Sequence, residues 1–303
     1  MNKNFKILIG SLVVVSVFGL SQCKKSSVVA VPPNPYLLEL KSSATLGSYL
    51  ADKDGKALYS FANDANIIST STTATIPDWP AFFVSGFTAS KLGAGLVATD
   101  FDSVASASGK QLTYKGWPLY YYAPGGVRET SGMTTGDGIE GKWFVAKPDY
   151  SIMLANLQLV GANGKSYVYA APLVYTEGTA KSLYFTDPLG RALYTYAPDS
   201  ANINKWTLGT VADAAHNAFW PIYGPVQSPV VVPSVLDKAL FGSITVFGNP
   251  QMTYKGWPIY YFKSDVSATG VYRGFNKGVS IGIVGTTSLW PIIFKDIPAA
   301  PTK

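Results

Sequence analysis

The 303-residue chain has one cysteine and one histidine. A lone cysteine excludes any disulfide within the chain, so the fold has to be held by its core. One histidine and one cysteine cannot supply a zinc site of ordinary composition. A Cys-His pair or a Ser-His-Asp triad would have to use His216, and no Gly-x-Ser-x-Gly elbow accompanies it. The missing Cys-x-x-Cys-His excludes c-type haem. Charged residues are only 14% of the chain, and no Lys/Arg cluster of the kind nucleic acid demands is present. What the chain has in quantity is turn formers and rings: 29 Gly, 20 Pro, 19 Tyr, 15 Phe and 7 Trp, within 47% hydrophobic residues. That is the profile of a turn-rich, all-β protein.

The N-terminus carries Lys3 and Lys6, then an apolar run from Ile7 to Leu20. This run fits a secretory leader and is too short to span a bilayer comfortably. Leu20-Ser21-Gln22-Cys23 follows and resembles the lipobox of bacterial lipoproteins. The expectation is a leader over residues 1–22, lipidation of Cys23, and an anchor and tether over 23–43. The prolines Pro32, Pro33 and Pro35 favour an extended spacer. Two acyl chains suffice for stable anchoring. Lys24 stands where an aspartate would resemble an inner-membrane retention signal, so the outer membrane is favoured within the cell envelope. Without residues 1–22 the formal charge falls from +6 to +4.

One eleven-residue phrase occurs twice, as Leu-Thr-Tyr-Lys-Gly-Trp-Pro-Leu-Tyr-Tyr-Tyr at 112–122 and as Met-Thr-Tyr-Lys-Gly-Trp-Pro-Ile-Tyr-Tyr-Phe at 252–262. A second phrase alternates with it, at 52–64 and 187–199. Both share Tyr-x-(Phe/Tyr)-x-x-Asp, seen as Tyr59/Phe61/Asp64, Tyr194/Tyr196/Asp199 and Tyr260/Phe262/Asp265. The remaining copy has Tyr120 and Tyr122, with Gly125 at the aspartate position. Each unit closes on a tryptophan: Trp79, Trp143, Trp220 and Trp290. The order is A-B-A-B, as duplication of a two-unit module would leave it. The expected organisation is a first repeat pair over 44–150, a connecting segment over 151–179, a second pair over 180–297, and a tail over 298–303. Four tandem repeats in two pseudo-equivalent antiparallel β halves is the expected architecture, and a closed, propeller-like ring of four units is the alternative.

Locally, Lys115-Gly116 and Lys255-Gly256 predict two-residue hairpin turns, with longer turns over Asp52–Gly55 and Asp187–Gly190. Period-two placement sets Tyr59 with Phe61, and Tyr120 with Tyr122, on one strand face; Leu58 and Leu119 face the other way. Both faces are partly apolar, which predicts strands between layers. Residues 166–175 and 240–247 also read as strands, and 212–217 as a short helix.

The Tyr-x4-Asp core, the Gln-Leu-Thr-Tyr-Lys-Gly-Trp-Pro-Leu-Tyr phrase and the closing tryptophan resemble the secreted-repeat lipoproteins named for a Tyr-x4-Asp motif. The resemblance covers roughly residues 44–147 and 180–295. It implies a secreted or lipid-anchored protein built of tandem repeats, in a family with no settled activity. Relatives often carry a cysteine pair ahead of the Trp-Pro of the A unit. This chain has none there, so no redox role of such a pair carries over.

The motif has a sharp reading, a ligand or catalytic pair, and a structural one, a packed tyrosine with an aspartate capping the following turn. Their offset of five places them on opposite faces of a continuous strand, and only a bend after Phe61 would bring them together. The absent carboxylate at Gly125 argues against an obligatory catalytic role. Asp52 and Asp54 with Gly55, and Asp137 with Gly138, resemble fragments of a calcium loop but lack its full ligand alternation and read as plain turns. No catalytic set and no cofactor are expected; a tyrosine- or histidine-ligated haem stays open. The expectation is a non-enzymatic binding or scaffolding module with an envelope glycan or a protein as partner. A hydrolase of envelope polysaccharide and a haem- or metal-linked redox accessory are the alternatives.

Overall fold

In the two repeated turns, Lys115 has φ +48° and Gly116 φ +77°, and Lys255 and Gly256 have +50° and +82°. Positive φ at both central residues is the type I′ geometry whose twist matches that of paired strands. The computed structural model describes residues 34–70, 77–106, 109–224 and 229–303; the expected leader, Cys23 and most of the tether lie outside the described residues.

The described residues are mostly strand, with one four-residue α-helix. Strands β1 (Leu38–Ser43) and β2 (Gly47–Asp52) pair antiparallel, and the chain then turns into β3 (Tyr59–Phe61). A three-stranded sheet follows from β4 (Phe101–Ser106), β5 (Gly109–Tyr114) and β6 (Trp117–Pro118). Strand β7 (Trp143–Val145) returns to pair with β3, setting Phe61 opposite Trp143. Residues 151–179, read from the sequence as a connection, carry β8 (Met153–Val160), β9 (Ser166–Ala171) and β10 (Val174–Glu177). With β11 (Lys181–Thr186) they form a four-stranded sheet in the order β10-β9-β8-β11. A second three-stranded sheet, β12 (Phe241–Val246), β13 (Asn249–Tyr254) and β14 (Trp257–Pro258), has the register of the first.

The single strand expected over 166–175 is in fact two, because the chain turns at Pro172-Leu173, where Leu173 has φ +63°. A branched apolar side chain in the left-handed region was not a turn signal that composition could give. The short helix expected over 212–217 is present and starts one residue earlier, as a 3₁₀ turn (Val211–Asp213) running into an α-turn (Ala214–Asn217). All sheets are antiparallel and open; none of them closes on itself.

The expected layering holds. In the N-terminal part, Tyr59, Phe61 and Tyr120 belong to one buried cluster with Trp79 and Trp143, while Leu58 and Leu119 belong to another with Phe82 and Tyr121. The C-terminal part gathers Leu193, Tyr194, Ile259 and Tyr260 into one larger cluster, which also takes in Ala65, Trp117 and Phe144. Further links join the two parts of the chain. The Trp117 indole N–H donates to the Pro188 carbonyl at 2.9 Å. The buried Arg273 guanidinium lies over the Trp117 ring and donates to the carbonyls of Ala65 and Lys115. Asn34–Lys303 accordingly coheres as one unit.

Candidate functional site

The tyrosines that open the motif meet in pairs through the backbone. Tyr59 and Tyr120 exchange both N–H···O bonds at 2.9 Å, and Tyr194 and Tyr260 do the same. Two antiparallel units joined at such a bridge point their continuing chains in opposite directions. Each tyrosine therefore reaches past its own unit into the turn that ends the other.

The hydroxyls follow that geometry. Tyr120 donates to Asp64 Oδ2, Tyr260 to Asp199 Oδ2 at 2.8 Å, and Tyr194 to Asp265 Oδ2 at 2.5 Å. Tyr59, whose partner unit has Gly125, donates instead to Glu129 Oε2 at 2.5 Å. The hydrogen-bonded Tyr–carboxylate pair is thus formed between units, not by a bend within one. Glu129 is the residue sequence reading missed. Its place in the set shows only in the fold: Asp64, Glu129 and Asp199 each receive an N–H from the residue six positions on, Thr70 at 3.0 Å, Thr135 at 2.6 Å and Lys205 at 2.7 Å. Asp265 receives the N–H of Gly278 at 3.3 Å. In all four, one carboxylate oxygen takes a tyrosine hydroxyl and the other caps a loop.

Burial sets the electrostatics. Desolvation raises Asp64 and Asp199 to about 6 and Asp265 to about 7, against the lowering effect of the tyrosine hydroxyls and loop N–H groups. Tyr59, Tyr120, Tyr194 and Tyr260 are all raised, first by burial and then by the facing carboxylate. A carboxyl titrating near neutrality is what a general acid needs. Asp64, Asp199 and Asp265, however, are sealed beneath the fold at 0%, 1% and 4% exposure. A substrate has no access to them.

The third motif residue and the closing tryptophan are exchanged in the same way. Phe61 stacks on Trp143 at 3.9 Å and Trp143 on Trp79 at 3.8 Å, while Tyr122 lies tilted by 35° against Trp79 at 4.6 Å. In the C-terminal part, Tyr196 stacks on Trp290 at 4.4 Å, Trp290 on Trp220 at 3.8 Å, and Trp220 on Phe262 at 4.3 Å. Tyr59, Tyr120, Tyr194 and Tyr260 each set an edge against the tryptophan of their own unit, at 5.1–5.4 Å. Every closing indole packs against two other rings and is at most 6% exposed, which leaves none free to stack on a sugar.

A second tyrosine set works from the opposite strand face. Tyr121 donates to Asp52 Oδ2 at 2.8 Å and Tyr261 to Asp187 Oδ2 at 2.9 Å. The other oxygen of each aspartate caps its own turn, through the N–H groups of Asp54 and Lys56 or of Leu189 and Arg191. The Asp52–Gly55 segment is therefore a side-chain-capped turn, and Asp137 likewise accepts the Val145 N–H at 2.8 Å. Among the described residues no group of three or more His, Cys, Asp or Glu could hold a metal ion. His216 stacks on Trp206 at 4.0 Å, with Nε2 3.0 Å from the Trp206 carbonyl. Also among the described residues, no helix is long and apolar enough to cross a membrane.

Comparison with family models, curated proteins and solved structures finds no match to this chain.

Proposed function

We propose that this chain is a lipid-anchored protein of the bacterial cell envelope, held through Cys23 at the outer membrane, whose folded part is a non-enzymatic binding or scaffolding module. In this reading the folded part is four Tyr-x4-Asp units in two duplicated pairs, each pair locked by reciprocal exchange between its two units. The observation that carries the reading is the engagement of the three motif aspartates and of Glu129: each has one oxygen on a tyrosine and the other on a loop N–H. Asp64, Asp199 and Asp265, held this way and buried, order loops rather than face a substrate. What such exchange makes is a stiff body with many ordered loops, suited to presenting a surface to an envelope glycan or a protein.

The test compares Asp199→Asn and Tyr260→Phe with the wild-type chain in two assays: thermal unfolding, and turnover of a panel of envelope polysaccharides. A loss of stability with no turnover in any form supports the reading. Wild-type turnover that vanishes in variants melting like wild type would replace it with a polysaccharide hydrolase. Lipidation is tested separately by mass spectrometry of the mature N-terminus, where Cys23→Ser should abolish acylation.

A further inference from the structure

Four positions beyond each closing tryptophan stand Phe83, Lys147, Gly224 and Phe294. Phe294 is buried and stacks on Tyr169 at 3.7 Å. Nothing in the architecture of the units asks for a cation at this position, yet Lys147 is 8% exposed. Its Nζ has no hydrogen bond and no ion pair among the described residues; its contact is with the ring of Tyr150, 5.3 Å from the centroid. The carboxylates of Asp137 and Asp149 act on it from beyond ion-pairing range, and one oxygen of Asp137 is already taken by the Val145 N–H. Burial lowers the Lys147 pKa, with those two carboxylates only partly opposing it. An ammonium partly withdrawn from water and without an ion-paired partner is costly, and a bound anion offsets that cost.

Lys147 also lines an open cleft of about 450 Å³, between the β1–β2 turn at Thr45–Gly47 and the segment Pro229–Lys238. That volume lies within the range of small-molecule sites. Leu46 and the run Val230-Val231-Val232-Pro233 supply apolar lining, and the two other charged residues there, Asp237 and Lys238, are of opposite sign. The cleft therefore combines apolar walls with an ammonium that no side chain pairs. The apolar walls favour an anion with an aliphatic body over a bare inorganic one.

We propose that this cleft binds a small organic monocarboxylate, its carboxylate paired with the Lys147 ammonium and its short aliphatic body against Leu46 and the valine-proline run. The site uses none of the Tyr-x4-Asp residues, so it stands or falls apart from the scaffolding role.

The experiment is calorimetric titration of the full chain in non-ionic detergent with butyrate, and with butyramide and inorganic phosphate as comparisons. Saturable binding of butyrate alone, weakened at least ten-fold in Lys147→Met, is the expected result. No saturable binding, equal binding of phosphate or butyramide, or binding undiminished in a folded Lys147→Met overturns the proposal. Should Lys147→Met fail to fold, wild-type chain labelled by reductive ¹³C-methylation of its lysines decides the matter. Butyrate should then shift the Lys147 resonance and raise the pH at which it titrates; an unmoved resonance overturns the proposal.

Discussion

Tyr194 donates to Asp265 at 2.5 Å across 71 residues of chain, while Tyr260, five positions before that aspartate, donates back to Asp199, five positions after Tyr194. The two motifs exchange partners reciprocally. Neither can satisfy its own carboxylate, so each unit needs its neighbour for polar closure as well as for the shared indole stack. A lone unit would leave a buried hydroxyl and a buried carboxyl unpaired.

Tyr260→Phe should therefore cost about 1–3 kcal/mol, since it removes the donor and leaves Asp199 buried with only the Lys205 N–H. Asp199→Ala should cost a similar amount. The double variant should cost clearly less than the two together, because the pair is in direct contact. Urea denaturation of the four forms measures this coupling. Strict additivity would show that the hydroxyl and the carboxylate do not interact.

The turns and the two-faced strands were legible in the sequence because each rests on local spacing: glycine after lysine, and period two. The exchange was not. An offset of five between Tyr59 and Asp64 says that they diverge, but not which partner each finds, and that is decided by the Tyr59–Tyr120 bridge. Glu129 escaped notice for a related reason. It lies four residues beyond Gly125, and its longer side chain reaches the Tyr59 hydroxyl from a different point on the loop. The faces of the tryptophans were likewise open to either reading until their neighbours were known. Lys147 carried no local signal at all, since in sequence it is one lysine among many.

Stability should rise as the solution is acidified from about pH 8 to about pH 5. Asp64, Asp199 and Asp265 titrate near 6 to 7 in the fold, against an ordinary value of 3.8. The folded chain therefore binds protons more tightly than the unfolded chain between those limits. Their ionisation is a destabilising contribution that is fully present above about pH 7 and absent below about pH 4. A tenfold difference in proton affinity between the folded and unfolded chain corresponds to about 1.4 kcal/mol at each group, so the three together should change stability by at least about 2 kcal/mol. Lys181, Lys205 and Lys277 act on the three aspartates in turn and limit the effect. Urea midpoints across this range measure it, and Asp265→Asn should flatten the slope. Stability that instead climbs from pH 5 to pH 8 would show the carboxyls to be held ionised by their tyrosines.

Trp290→Ala should be among the most damaging single changes, at about 3–5 kcal/mol. Its ring is 1% exposed and is covered by Trp220 on one face and Tyr196 on the other, with Tyr260 and Trp206 at its edges. Parallel indoles 3.8 Å apart also couple optically. The near-ultraviolet circular dichroism should lose a paired band in Trp290→Ala and in Trp143→Ala, and should keep it in Trp206→Phe, which leaves both stacks intact. An unchanged spectrum in the first two would mean that the indoles are not stacked in solution.

Gly278→Ala tests how closely the backbone approaches this assembly. Gly278 caps Asp265 with its N–H, and a methyl group on its Cα would lie 2.8 Å from the Tyr194 ring and 2.9 Å from that of Trp220. Both rings are locked in place, Tyr194 by Asp265 and Trp220 between Trp290 and Phe262, so neither can swing aside. Overpacking of this kind costs about 1–3 kcal/mol. The same substitution at Gly285, where no atom lies within 4 Å of the added methyl, meets only the strain of φ +63°. Thermal unfolding should therefore place Gly278→Ala below Gly285→Ala. Nuclear magnetic resonance should show the Tyr194 and Trp220 side chains displaced in the first variant and undisturbed in the second. Equal melting temperatures with no ring displacement would mean that the loop carrying Gly278 stands off from the tyrosine, and that the Asp265 cap is looser than its geometry indicates.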